Sequence, residues 1–105
     1  MYYIYILRCK DQSLYTGITN NLERRMHAHF DKLKTGAKYT HAHPPIRLEC
    51  VFSTETKSDA LKLEYRIKQL TKSQKEALLK DPTLLAKVPQ IDVSCYTYVA
   101  AIKKS

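Results

Sequence analysis

A chain of 105 residues and 12.2 kDa predicts one compact domain, with no room for separate binding, catalytic and regulatory modules. Hydrophobic residues at 44% and charged residues at 27% are ordinary globular usage, which argues against both disorder and a membrane span. Eighteen Lys and Arg against ten Asp and Glu give a net charge of +8, which favours a polyanionic partner such as nucleic acid, although charge alone also fits a merely soluble basic protein.

The surplus is not a tail. Residues 1 to 54 hold eight basic and four acidic side chains and residues 55 to 105 hold ten and six, so each half is net +4 and a folded basic surface is expected. Cys9, Cys50 and Cys95 are odd in number and lack C-x-x-C spacing, so they read as small buried apolar residues. The start Met1-Tyr2-Tyr3-Ile4 has neither the basic leader nor the apolar core of a signal peptide, and a reduced, cytoplasmic protein is expected.

Tyr2 to Leu7 is a short run of strand formers, which predicts a central strand buried on both faces. Lys10 to Ser13 is a polar turn and Leu14 to Thr19 a second strand, so the chain opens with a β-hairpin. Gly17 lies inside that strand, where a glycine marks either a bulge or the close approach of another group. Asn20 with Glu23 has the form of a capping box, and Leu22, Met26, Phe30 and Leu33 follow at helical spacing, giving a helix over about 21–34. Residues 34 to 45 read as a loop, and Ile46 to Phe52 alternates as a third strand. Ser58 caps a second helix running to about Leu70, with Ala60, Leu63, Ile67 and Leu70 as its buried stripe. Ser73 with Glu76 opens a third helix that Asp81-Pro82 ends.

The expected fold is α+β: a small, mainly antiparallel three-stranded sheet flanked by helices in the order β-β-α-β-α-α. The domain is placed at residues 1–82. Residues 83–105 form an extension in which Ile91 to Ile102 adds an edge strand or a dimer contact.

Several residues do not suit a plain core. Arg25 and His29, four apart, fall together at the edge of the first helix's apolar stripe, and Glu64 takes a comparable boundary position on the second. Each also has an ordinary explanation, since Glu64 and Lys68 form an i, i+4 pair and the other two could cover the stripe with their stems. Eight of the ten aromatic residues are tyrosines, and Tyr3, Tyr5 and Tyr15 lie in the hairpin; sequence parity leaves open whether Tyr5 and Tyr15 share a face. His27-Ala-His29 and His41-Ala-His43 offer four nitrogens for zinc, but residues two apart on a helix diverge, and the second pair sits beside two prolines.

Tyr3-Ile4-Tyr5, then Tyr15-Thr16-Gly17, Arg25, His29 and later Glu64 on a helix together resemble the GIY-YIG nuclease domain, in particular its small stand-alone bacterial members. The run from Tyr15 to Arg25 carries most of the likeness, with support from Gly36 to Thr40 and from Ala60 to Lys68. Tyr3 stands where the first motif has glycine and Thr16 where the second has isoleucine. The resemblance implies a metal-dependent nuclease acting on DNA or RNA, with DNA repair or processing as a role. It implies catalytic Tyr5, Tyr15, Arg25 and His29, and Glu64 as the ligand of one magnesium or manganese ion. Arg24, Lys38, His41, His43 and Lys68 are expected to contact nucleic acid, and a protein partner or homodimer to supply specificity. The alternative is a non-catalytic or partner-dependent nucleic-acid-binding module on the same fold.

These residue types suit the chemistry. Phosphodiester hydrolysis needs a deprotonated water, neutralisation of growing phosphate charge and stabilisation of the leaving oxygen. A carboxylate holds a hard cation, arginine forks onto a phosphate, and a tyrosine or histidine can take the proton.

Overall fold

The computed structural model describes residues 1–30 and 43–99. Strands β1 (Tyr2–Cys9) and β2 (Leu14–Thr19) form the opening hairpin, followed by α1 (Leu22–Phe30), β3 (Pro45–Thr54), α2 (Lys57–Lys68) and α3 (Lys72–Lys80). Two 3-10 segments, Pro82–Lys87 and Val93–Cys95, lead to the short β4 (Thr97–Tyr98). The sheet is antiparallel in the order β2-β1-β3-β4. Beside the three expected strands, Thr97 and Tyr98 pair with Ser53 and Phe52 at the free edge of β3, which is the edge-strand alternative for the segment from Ile91 to Ile102. Residues 31–34 of the expected first helix and most of the loop after it lie outside the described residues.

The unbroken apolar run puts β1 at the centre, where both of its faces are covered. Ile4 and Ile6 point to one side and join Cys50 and Phe52 of β3, with Ala60, Leu63 and Ile67 of α2 and Leu78 and Leu79 of α3. Leu85, Val88 and Tyr96 extend this core. Tyr5 and Leu7 point to the other side and pack with Val51 beneath Leu22, Met26 and Phe30 of α1. Helices thus cover both faces, one from α1 and the other from α2 and α3. Among the described residues no helix is long and apolar enough to cross a membrane. Cys9 and Cys50 are buried as expected, but Cys95 is exposed, because its 3-10 segment lies on the surface with no buried residue.

All three helices are capped, each by a residue other than the one expected. Asn21, not Asn20, accepts from Arg24 N through Oδ1 at 3.1 Å. Thr56, not Ser58, caps α2, and Thr71 with Gln74 forms the capping box that was expected of Ser73 and Glu76. Thr56 and Thr71 hold the extended backbone that a cap requires, whereas Ser58 and Ser73 already lie inside the helices.

Glu76 serves another partner. Arg8, at the buried end of β1, donates from Nη1 and Nη2 to the two Glu76 oxygens at 2.5 and 2.7 Å and from Nε to Glu49 Oε2 at 2.9 Å. The pairing with Arg8 holds Glu76 below its ordinary carboxylate range. Arg8→Met removes the partner of a largely desolvated carboxylate on β3 and of another on α3. It is expected to cost about 3 kcal/mol, read as a lower urea midpoint at unchanged slope. A loss below about 0.5 kcal/mol would mark the cluster as a solvated surface pair.

Candidate active site

The β1–β2 register resolves how the tyrosines are arranged. Tyr5 is opposite Gly17 and Leu7 opposite Tyr15, so Tyr5 and Tyr15 are diagonal neighbours on the face covered by α1. Their ring centroids lie 6.2 Å apart. His29 descends from α1 and closes the triangle, edge-on to Tyr5 at 5.5 Å and to Tyr15 at 5.6 Å. Arg25, one turn earlier, donates from Nε to Tyr5 Oη at 3.3 Å. The helical spacing of four that places Arg25 and His29 on one edge thus brings both to a single phenol.

Gly17 accommodates that phenol. A Cβ at this position would stand 2.5 Å from Tyr5 Oη and 2.7 Å from Cζ, so the glycine allows the ring to lie across β2. Its φ is not positive, and close approach rather than a bulge accounts for it. The hydroxyl of Thr16, its neighbour in the second motif, is buried without a hydrogen-bond partner among the described residues.

Arg25 Nε can only donate, so Tyr5 Oη accepts from it. With His29 in the tautomer protonated at Nδ1, the phenol proton is directed at His29 Nε2, 2.9 Å away. Burial pushes Tyr5 up to about 12, against the pull of Arg25. Burial, with the Arg25 charge adding to it, pushes His29 down to about 4. Arg25 loses by burial but is raised overall by its hydrogen bonds and charge interactions with Tyr5 and Tyr15. The cluster therefore consists of a protonated phenol, a neutral imidazole and a fixed guanidinium.

A pH dependence follows from His29. Its native pKa lies below the unfolded value, so its stabilising contribution is complete above about pH 6.5 and is lost as pH falls toward 4. The fold is expected to lose about 2 kcal/mol between pH 7 and pH 5 in urea titrations, and His29→Tyr to abolish most of that loss. Equal pH slopes for the two proteins would contradict the neutral imidazole.

Glu64 is on α2, which lies over β2 and β1 on the opposite face. Because β2 is the outer strand, groups from both faces can converge at its edge, and the Glu64 carboxylate is close enough for its charge to raise the Tyr5 phenol further. The same carboxylate lies 3.3 Å from Lys68 Nζ. Arg24 is exposed on α1 and, with Asn20, Asn21, Arg25 and His27, lines a surface cleft of about 730 Å³. From sequence Asn20 reads only as a helix cap and His27 only as a weighed zinc ligand, and Asn21 has no role; polar side chains around a helix start beside a candidate arginine were the available signal for this cleft. His43 stands apart from the cluster, with Nδ1 2.7 Å from Asp11 Oδ2 at the β1–β2 turn. Lys38 and His41 lie outside the described residues.

An antiparallel sheet between helices, with two hairpin tyrosines over a strand glycine and an arginine and histidine above them, defines the GIY-YIG class of catalytic domain. Residues 1–77 match the GIY-YIG catalytic domain, and the chain belongs to that family. The family is a nuclease superfamily whose domains generally bind nucleic acid and use a divalent metal. Within it, the chain is 48% identical over 84 residues to the UPF0213 protein CPE1444 of Clostridium perfringens, covering 80% of this chain and 88% of that one. It is 49% identical over 79 residues to the UPF0213 protein OB0043 of Oceanobacillus iheyensis, covering 75% and 90%. The solution NMR structure of the UPF0213 protein BH0048 from Bacillus halodurans matches with a TM-score of 0.50 and 35% identity, over 88% of this chain and all of that one.

Proposed function

We propose that this chain hydrolyses phosphodiester bonds in DNA or RNA with the help of one divalent cation, magnesium or manganese, in DNA repair or processing. The observation that carries the reading is the Tyr5 hydroxyl held between Arg25 and His29 over Gly17. Packing alone asks for one hydrogen-bond partner for a buried phenol, and Tyr5 has both a guanidinium and an imidazole. The three free thiols fit a reduced compartment, the cytoplasm.

Glu64 would hold the cation. Magnesium is commonly bound through one or two carboxylates while waters and substrate phosphates complete its shell, so a single hard oxygen donor suits it. A closed zinc site takes four protein ligands of the His and Cys type, a different donor set from one carboxylate. When bound, the cation supplies neutralisation of phosphate charge and a lowered pKa for water.

The protein's own groups do the rest. Arg25, fixed by both phenols, presents its charge to the scissile phosphate. Tyr5 is protonated at neutral pH and is not itself the resting base. His29 is neutral and accepts. As the attacking water gives its proton to Tyr5 Oη, the phenol proton moves to His29 Nε2, so one proton leaves the water and one arrives on the imidazole. Tyr15 packs against both groups and orients them. Arg24, Lys38, His41, His43 and Lys68 contact phosphates in this scheme. Such contacts carry no sequence information, so target choice falls to a protein partner or a second copy of the chain.

One observation favours a second reading, a binding module without turnover: Lys68 already neutralises Glu64. The two readings separate when the purified protein is incubated with labelled single-stranded DNA, double-stranded DNA and RNA in magnesium, manganese or EDTA. Cleavage in metal that EDTA abolishes is the expected result. Salt-sensitive binding without cleavage would transfer the assignment to the binding module, and no binding at low salt would overturn both.

A further inference from the structure

The helix that carries Glu64 has an outer strip of which the proposed chemistry uses only Glu64 and Lys68. Lys57, Leu61 and Tyr65 are spaced by four, and Glu64 and Lys68, also four apart, flank Tyr65, forming a continuous band beside the buried Ala60, Leu63 and Ile67. Within it, Leu61 is 46% and Tyr65 56% exposed, one turn apart on a helix whose neighbouring Lys57, Lys62 and Lys68 are also exposed.

The Tyr65 ring is backed on one side. The Arg66 guanidinium carbon lies 5.2 Å from the ring centroid, and Arg66 Nη2 also donates to Gln90 Oε1. A tethered cation against the ring restricts the phenol and reduces the ordering cost of placing a second flat group on it. The ligand that suits an aromatic face backed by a cation and flanked by lysines is flat and attached to an anionic backbone.

We infer that Tyr65 is a stacking platform for an unpaired base of a single-stranded nucleic acid whose backbone continues toward Glu64. Arg66 backs the ring, Leu61 supports the apolar edge of the same nucleotide, and Lys68 meets a phosphate. This rests on reading the Glu64 region as a nucleic-acid site and adds the substrate class to it. Stacking of this kind is tolerant of sequence, because every base has a π-face, but duplex bases are already stacked on one another. The platform therefore selects single-stranded or locally unpaired substrate over intact duplex.

The test is fluorescence anisotropy of the full-length protein in EDTA, where cleavage cannot interfere. The probes are a labelled oligothymidylate of about twelve nucleotides, the same backbone with abasic sites, and a blunt duplex of equal length. Wild type is expected to bind the base-bearing strand at least about five-fold tighter than the abasic one, Tyr65→Ala to lose that preference, and Tyr65→Trp to retain it. Duplex affinity should be unchanged in all three, and circular dichroism confirms that the exposed substitutions leave the fold intact. Wild type that binds all three probes equally or none of them, or Tyr65→Ala that keeps the preference, overturns the inference and leaves the Leu61–Tyr65 strip to a protein partner. Because the measurement is made without metal, failure of the nuclease assignment would appear in the cleavage assay and not here.

Discussion

Arg25→Ala is expected to lower single-turnover cleavage by about a hundred- to a thousand-fold, the scale set by removing one preorganised charge from a transition state. Two losses combine in this variant. In the proposed mechanism the scissile phosphate loses its guanidinium, and the Tyr5 phenol loses the donor that orients it beside His29. Arg25→Lys should recover little, because an ammonium cannot reproduce the planar fork that bridges Tyr5 and a phosphate. Substrate affinity should change much less than rate, since Arg24 and the other basic residues remain. Cleavage within ten-fold of wild type would remove Arg25 from the chemistry.

Gly17→Ala is the second large effect. The added methyl would lie 2.5 Å from Tyr5 Oη and 3.1 Å from Tyr15 Cε2, so both tyrosines must shift. Tyr5 is only 1% exposed and packs with Leu7 and Val51, which leaves its ring little freedom to yield. Overpacking of this kind costs about 1–3 kcal/mol of stability. The displaced hydroxyl should also reduce the cleavage rate about a hundred-fold, because misplacement by an ångström is enough to break a proton path. Wild-type activity in Gly17→Ala would mean that the hydroxyl takes no part.

The sequence and the structure agree where one local pattern settles the outcome. The unbroken run in β1 predicts a central strand buried on both faces, and Ile4 and Tyr5 pack into the opposite cores. The spacing of Arg25 and His29 predicts a shared helix edge, and both meet Tyr5. What was not legible depends on pairing between distant segments. Helix capping was displaced to Asn21, Thr56 and Thr71 because several polar residues in each window are competent and only the backbone turn selects one. Arg8 gave no sign of its role, since its partners Glu49 and Glu76 are 41 and 68 residues away. The meaning of Gly17 depended on register, which fixes Tyr5 rather than Tyr3 opposite it. An edge strand was one of two expectations for Ile91 to Ile102, and its bounds were not legible because β4 is only two residues long, too short to carry an alternating pattern.

Glu64 is proposed to hold a cation needed for bond cleavage and not for holding the nucleic acid. Wild type and Glu64→Ala, incubated with labelled DNA and RNA in magnesium and resolved on a denaturing gel, with affinity measured in parallel, test it most directly. The expected result is cleavage by wild type that disappears in Glu64→Ala while binding persists within a few-fold. Cleavage that survives in Glu64→Ala, with contaminating nuclease excluded, would contradict it.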